Sequence, residues 1–131
     1  MATRTIQVTI AANLSWQASG VFCNPNDSID VSYIGGNWTQ NPVTGLHDWR
    51  GDGGHQEAGG EYALPGAPEG CLLFRVGGGA TTRFATSTVH LPNNSNGEVA
   101  FVINDDLRHV SGHGLGDNSG SLSLAFTISS R

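Results

Sequence analysis

At 131 residues the chain has the length of one compact domain, enough for a two-layer fold to bury a core without disulfide staples. Hydrophobic residues make up 37% and charged residues 13%, with 19 glycines, which argues against disorder and long surface helices and favours short strands joined by turns. The formal net charge is −5 and the 6 basic residues are scattered arginines, so nucleic acid and anionic membrane are poor partners, while a hard cation suits the excess of carboxylates.

From the N-terminus, Ile6, Val8 and Ile10 alternate with polar residues, the period of a half-buried strand. This start lacks the continuous apolar run of a secretory signal or membrane span, so the expectation is a cytoplasmic protein, with release or cell-surface display left open. A short strand follows at residues 20–23, and Ile29, Val31 and Tyr33 mark the next. Residues 35–70 lose the alternation and carry Trp38, His47, Trp49 and His55 among glycines, a loop too long for a hairpin turn. Strands return at residues 71–76, 82–85 and 88–91, then at Val99, Phe101 and Ile103. A second long loop spans 105–120, and Leu122, Leu124, Phe126 and Ile128 close the chain as a strand. About eight strands, no helical period, no linker and no repeat predict a single-domain, all-β sandwich of two antiparallel sheets over residues 1–131. Cys23 and Cys71 lack zinc-site spacing and read as buried thiols, their pairing left open.

The second loop carries the densest chemistry. Asn104-Asp105-Asp106 ends one strand, and Gly116-Asp117-Asn118-Ser119-Gly120 precedes the last. Carboxylate, amide and carbonyl oxygens from both sides of one loop suit calcium, which takes six to eight oxygens at ~2.3–2.6 Å. The same residues also suit plain turn chemistry, with Asp and Asn capping the backbone and Gly at positive φ.

Longer stretches carry a resemblance. Cys71-Leu72-Leu73-Phe74-Arg75-Val76-Gly77, Leu91-Pro92-Asn93-Asn94, the run from Gly97 through Asn104-Asp105, and Asp117-Asn118-Ser119-Gly120-Ser121-Leu122-Ser123-Leu124 resemble the LecA (PA-IL) family of galactophilic lectins in order and spacing. Asn24-Pro25-Asn26-Asp27, Gly36-Asn37-Trp38, and Trp49 followed by Gly51-Asp52 and His55 extend the likeness upstream, so that it covers most of the chain after Val21.

The resemblance implies a jelly-roll-like sandwich, one Ca2+ per chain, and a sugar that completes the metal's coordination through its 3- and 4-hydroxyls. Carried over residue by residue, Asp105, Asp117 and Asn118 supply side-chain oxygens, and Asn41 and Gly114 supply backbone carbonyls. His55 and Gln56 bond the sugar, and Asp105 and Asp117 accept from its hydroxyls. The implied partners are galactose-containing glycans or glycolipids, and the implied assembly is a tetramer to which the first strand lends an edge. This chain departs from the family pattern in having Asp117 where Asn is usual, and in a loop about five residues longer that carries Arg108, His109 and His113.

Two other classes remain. An enzyme is disfavoured: the five histidines lack the spacing of a catalytic metal site, no Gly-x-Ser-x-Gly elbow occurs, and Asp105 and Asp117 gripping calcium cannot act as free acid and base. A calcium-stabilised structural or adhesin module that binds no sugar is the other alternative. Trp38 and Trp49 read as buttresses of the loops rather than as sugar contacts.

Overall fold

The computed structural model describes residues 3–52, 58–109 and 114–130. It holds eight strands: β1 (Thr3–Ala11), β2 (Gln17–Cys23), β3 (Asp27–Thr39), β4 (Leu72–Val76), β5 (Thr82–Arg83), β6 (Thr88–His90), β7 (Gly97–Ile103) and β8 (Ser119–Ser130). One sheet has the order β1-β8-β3-β6 and the other β2-β7-β4-β5, and every pairing is antiparallel. First pairs with last, second with seventh, third with sixth and fourth with fifth. That is a long hairpin wound around a barrel-like core, the topology of a jelly roll.

Alternation along each strand builds the interior. Ile10, Ile29, Val31, Leu122, Leu124 and Phe126 of one sheet meet Leu72, Phe74, Val99 and Phe101 of the other. The Phe101 and Phe126 rings cross edge-to-face at 5.9 Å, joining the sheets at β7 and β8. The side chains that alternate with these on β4 and β7 point the other way. There Leu73 and Val102, with Cys71 and Ala67, form a smaller apolar cluster covered by Trp16, Ala63, Leu64 and Leu107. Cys23 and Cys71 are free, buried thiols in different clusters, and burial pushes Cys71 up to about 12.

Several boundaries differ from the sequence expectation: β2 starts earlier, at Gln17, β5 stops sooner, at Arg83, β8 starts at Ser119 inside the expected loop, and the largest difference is in β3. β3 does not stop near Tyr33 but runs on through Gly35 and Gly36 to Thr39. A register shift between Tyr33 and Gly35 absorbs the break in alternation, which hid the continuation. Gly36 and Gly120 both have positive φ, and a side chain on either would run into the backbone of the facing strand, at the Ser121 or the Asn37 carbonyl. The glycines that read as a loop are what lets β3 and β8 stay paired to their ends. No helix among the described residues is long and apolar enough to cross a membrane.

Candidate functional site

Several chain segments meet where β3 and β7 end and β8 begins. Thr39 pairs with Ser119, the last pair of the ladder, so Gln40 leaves β3 at the same end of the sheet where Asn118 enters β8. The segment after β1 joins them, its Ala12 N–H donating to the Gly120 carbonyl at 3.0 Å. β7 delivers Asn104, Asp105 and Asp106, all buried, beyond its pairing of Ile103 with Leu72.

Asn104 holds the neighbouring loop in place. Its side-chain oxygen accepts from the Leu64 N–H at 2.9 Å, and its amide donates to the carbonyls of Leu64 at 3.0 Å and Pro68 at 3.1 Å. Its backbone N–H donates to Cys71 and its carbonyl accepts from Gly70, each at 2.8 Å. Trp38 adds an indole N–H donated to the Gly70 carbonyl at 2.7 Å, and its backbone exchanges two hydrogen bonds with His47. Trp38 lies fully in the core, and Trp49 packs edge-to-face on Phe84 at 6.0 Å.

The next residue is in a different condition. Asp105 Oδ1 accepts from the Asp106 N–H at 2.7 Å, but its Oδ2 is buried with no hydrogen-bond partner. Burial is the main force on its carboxyl, raising it from 3.8 to about 6. The bonds from the Asp106 N–H and the Asn118 side chain pull it back down, while the Asp117 and Asp106 carboxylates push it up. Among the described residues no cationic side chain is counted with the groups acting on it.

Asn118 is similar. Its Nδ2 donates to the Ala12 carbonyl at 2.7 Å, which fixes the orientation of the amide and leaves a buried Oδ1 without a donor. Two buried oxygens without donors, on side chains close enough to interact and next to further carboxylates, form an incomplete polar cluster.

The other expected residues are placed as follows. Asp117 is half-buried and close enough to raise Asp105. Gly114 is buried at φ +57, and a Cβ there would stand 3.2 Å from the Asp106 carbonyl oxygen, so the far side of the loop closes against the Asp105-Asp106 segment. The Asn41 carbonyl is already engaged, accepting from the Thr39 hydroxyl at 2.6 Å, the Thr44 hydroxyl at 2.8 Å and the Thr44 N–H at 3.0 Å. A carbonyl has two lone pairs, so joining an ion would require a threonine hydroxyl to turn away. His55, Gln56 and His113 lie outside the described residues.

Sequence reasoning offered Asn104 only as one of the loop's oxygen donors and gave no site role to Gln40 or Asp52; all three are buried here. The Gln40 amide reaches the Asp52 carboxylate at 3.5 Å, tying the segment before Asn41 to the one that leads toward His55. Asn104 stood in the quoted motif, but its partners lie some forty positions upstream, and no local pattern announces them.

The donor set suits a hard cation. Asp105, Asp117 and Asn118 offer side-chain oxygens, of which Asp105 Oδ2 and Asn118 Oδ1 lack donors, and the neighbouring carboxylates push on Asp105. Among the described residues no three His, Cys, Asp or Glu side chains gather as ligands, so amide and carbonyl oxygens would have to complete a shell. In comparisons with known proteins, no family model and no curated protein matches this chain.

Proposed function

We propose that the protein is a calcium-dependent lectin that holds galactose or terminal galactosides at the Asp105–Asn118 end of the sandwich. The observation that carries the reading is the pair of buried oxygens without donors, Asp105 Oδ2 and Asn118 Oδ1, in a carboxylate cluster. A folded chain that buries such atoms without protein donors sacrifices stability, on the order of 1–3 kcal/mol for each, which a ligand would restore. The collinear residues that resemble galactophilic lectins, and a jelly-roll frame that gathers the ends of β3, β7 and β8, support the same reading.

Calcium bound there would neutralise the carboxylates and offer coordination positions to two vicinal hydroxyls. Asp105 and Asp117 would accept hydrogen bonds from those hydroxyls, and the Asn118 amide would stay anchored on Ala12. Asn104 would keep the strand end from shifting when the sugar enters or leaves. An adjacent equatorial and axial pair, as in galactose, differs in geometry from a diequatorial pair, so the fixed acceptors discriminate between sugars. A tetramer of such chains would add avidity.

Isothermal titration with galactose, in calcium and then in chelator, tests the proposal. Heat that appears only with calcium supports it. Calcium binding without sugar heat would favour the structural or adhesin alternative and call for a glycan array. His55→Ala is expected to weaken galactose binding while leaving calcium affinity unchanged, and a parallel loss of calcium would move His55 into the metal shell.

A further inference from the structure

Beside the candidate site a groove of about 240 Å3 is lined by Trp16, Glu61, Tyr62, Ala63, Leu107 and Arg108. None of these residues supplies an oxygen to the cluster described above, and the sugar reading gives them no task.

The Trp16, Tyr62 and Ala63 walls are fixed before any ligand arrives. The Ala63 N–H donates to the Asp105 carbonyl at 3.1 Å, and the Tyr62 hydroxyl donates to Glu69 at 2.9 Å. Asn104 clamps Leu64 and Pro68 just downstream. Trp16 carries the Arg75 guanidinium over its ring at 4.1 Å and packs on the Leu73 and Val102 cluster. Preformed walls lower the ordering cost of binding.

The lining chemistry narrows the occupant. Two aromatic side chains supply apolar area, the Glu61 carboxylate accepts hydrogen bonds and the Arg108 guanidinium donates them. One negative and one positive group balance, so a strongly charged ligand gains little, whereas a ring with an apolar face and several hydroxyls satisfies every wall. The volume lies below the ~300–1,000 Å3 of sites for larger ligands, which fits a single ring. Leu107 and Arg108 follow closely on Asp105 in the chain, and Ala63 is bonded to it, so the groove borders the proposed sugar site.

We infer that this groove is a second sugar subsite, taking a neutral pyranose ring of a glycan whose terminal galactose sits at Asp105 and Asn118. The inference rests on the lectin reading and assigns to this chain a preference for oligosaccharides over the monosaccharide.

The test titrates wild type, Glu61→Gln and Arg108→Ala with galactose and with a set of galactose-terminated trisaccharides, calcium present, while NMR follows the Trp16 indole N–H. Both substitutions fall on side chains that are at least partly exposed, so folding should survive. At least one trisaccharide is expected to bind about three- to tenfold more tightly than galactose, the scale of one or two hydrogen bonds. It should move the Trp16 signal and lose its advantage in both variants, with galactose affinity unchanged. If no trisaccharide exceeds galactose, or the advantage survives in both variants with the Trp16 signal unmoved, the subsite is overturned while the lectin reading stands. If galactose itself fails to bind, the lectin reading falls, and the subsite falls with it for want of an anchor.

Discussion

Asn104 and Asp105 are neighbours in the chain and both are buried, yet they stand in opposite states. The Asn104 side chain has its oxygen and its amide paired with backbone groups of one loop, whereas Asp105 buries one oxygen without a protein partner. A satisfied buried amide is a structural device, because its removal strands several partners at once. An unsatisfied buried carboxylate, with other carboxylates pushing on it, weakens the fold that contains it, and the proposed ion would relieve that cost. The adjacency itself makes sense, because an atom held without a partner needs a rigid neighbour.

The largest contrast should appear when each residue is replaced in turn. Asp105→Asn is expected to cut calcium affinity by more than the roughly 100-fold that bounds changes outside the ligand shell, measured by titration. Without metal it should fold as well as wild type at neutral pH, since it removes a buried charge. Unchanged calcium affinity in that variant would dismiss Asp105 as a ligand.

Asn104→Ala should do the reverse, lowering unfolding free energy by about 3 kcal/mol in denaturant titrations through the donors and acceptors it strands. A change within about 0.5 kcal/mol would show that the loop is held by other contacts.

The pH dependence of the metal-free protein sharpens the comparison further. Asp105 binds its proton more tightly folded than unfolded, about 6 against 3.8, so its contribution favours the fold fully below about 4 and is lost as pH rises through about 6. The loss is on the order of 3 kcal/mol. Melting temperatures followed from pH 4 to 7 should show this fall in wild type and a shallower one in Asp105→Asn; identical slopes would mean that Asp105 is not the group responsible.

The smallest effect is expected at Asn41. Thr44→Val removes one hydroxyl from its crowded carbonyl at a cost of about 1 kcal/mol or less, read from thermal melts. If that carbonyl takes part in calcium binding, the freed lone pair should raise calcium affinity slightly. Lowered affinity would instead show that Thr44 orients the carbonyl for the ion.

Most of the fold was legible because the signals were local. Every alternating run read from the sequence became a strand, from Ile6, Val8 and Ile10 in β1 to Leu122–Ile128 in β8. The stretch beyond Tyr33 was not legible, since a strand that bulges at Gly35 and crosses β8 at Gly36 loses its period just where close approach requires glycine. At the candidate site, Asp105, Asp117 and Asn118 could be chosen from residue type and spacing, because carboxylates and amides flanking a loop are the oxygen donors a cation needs. Gln40 and Asp52 were passed over and Asn104 was read as an oxygen donor rather than a brace, because what makes each of them matter is burial and a partner distant in the chain.

By itself the sequence determined that the chain is all-β, where the alternating part of its strands lies, and which oxygen-bearing residues flank its last loop, because side-chain period and turn chemistry act over a few residues. Only the tertiary structure decided that first pairs with last and second with seventh, that the ends of β3, β7 and β8 meet, and that Asn104 is satisfied while Asp105 is not. Those outcomes depend on which distant groups share one buried volume, and that is fixed when the two sheets close on each other and exclude water.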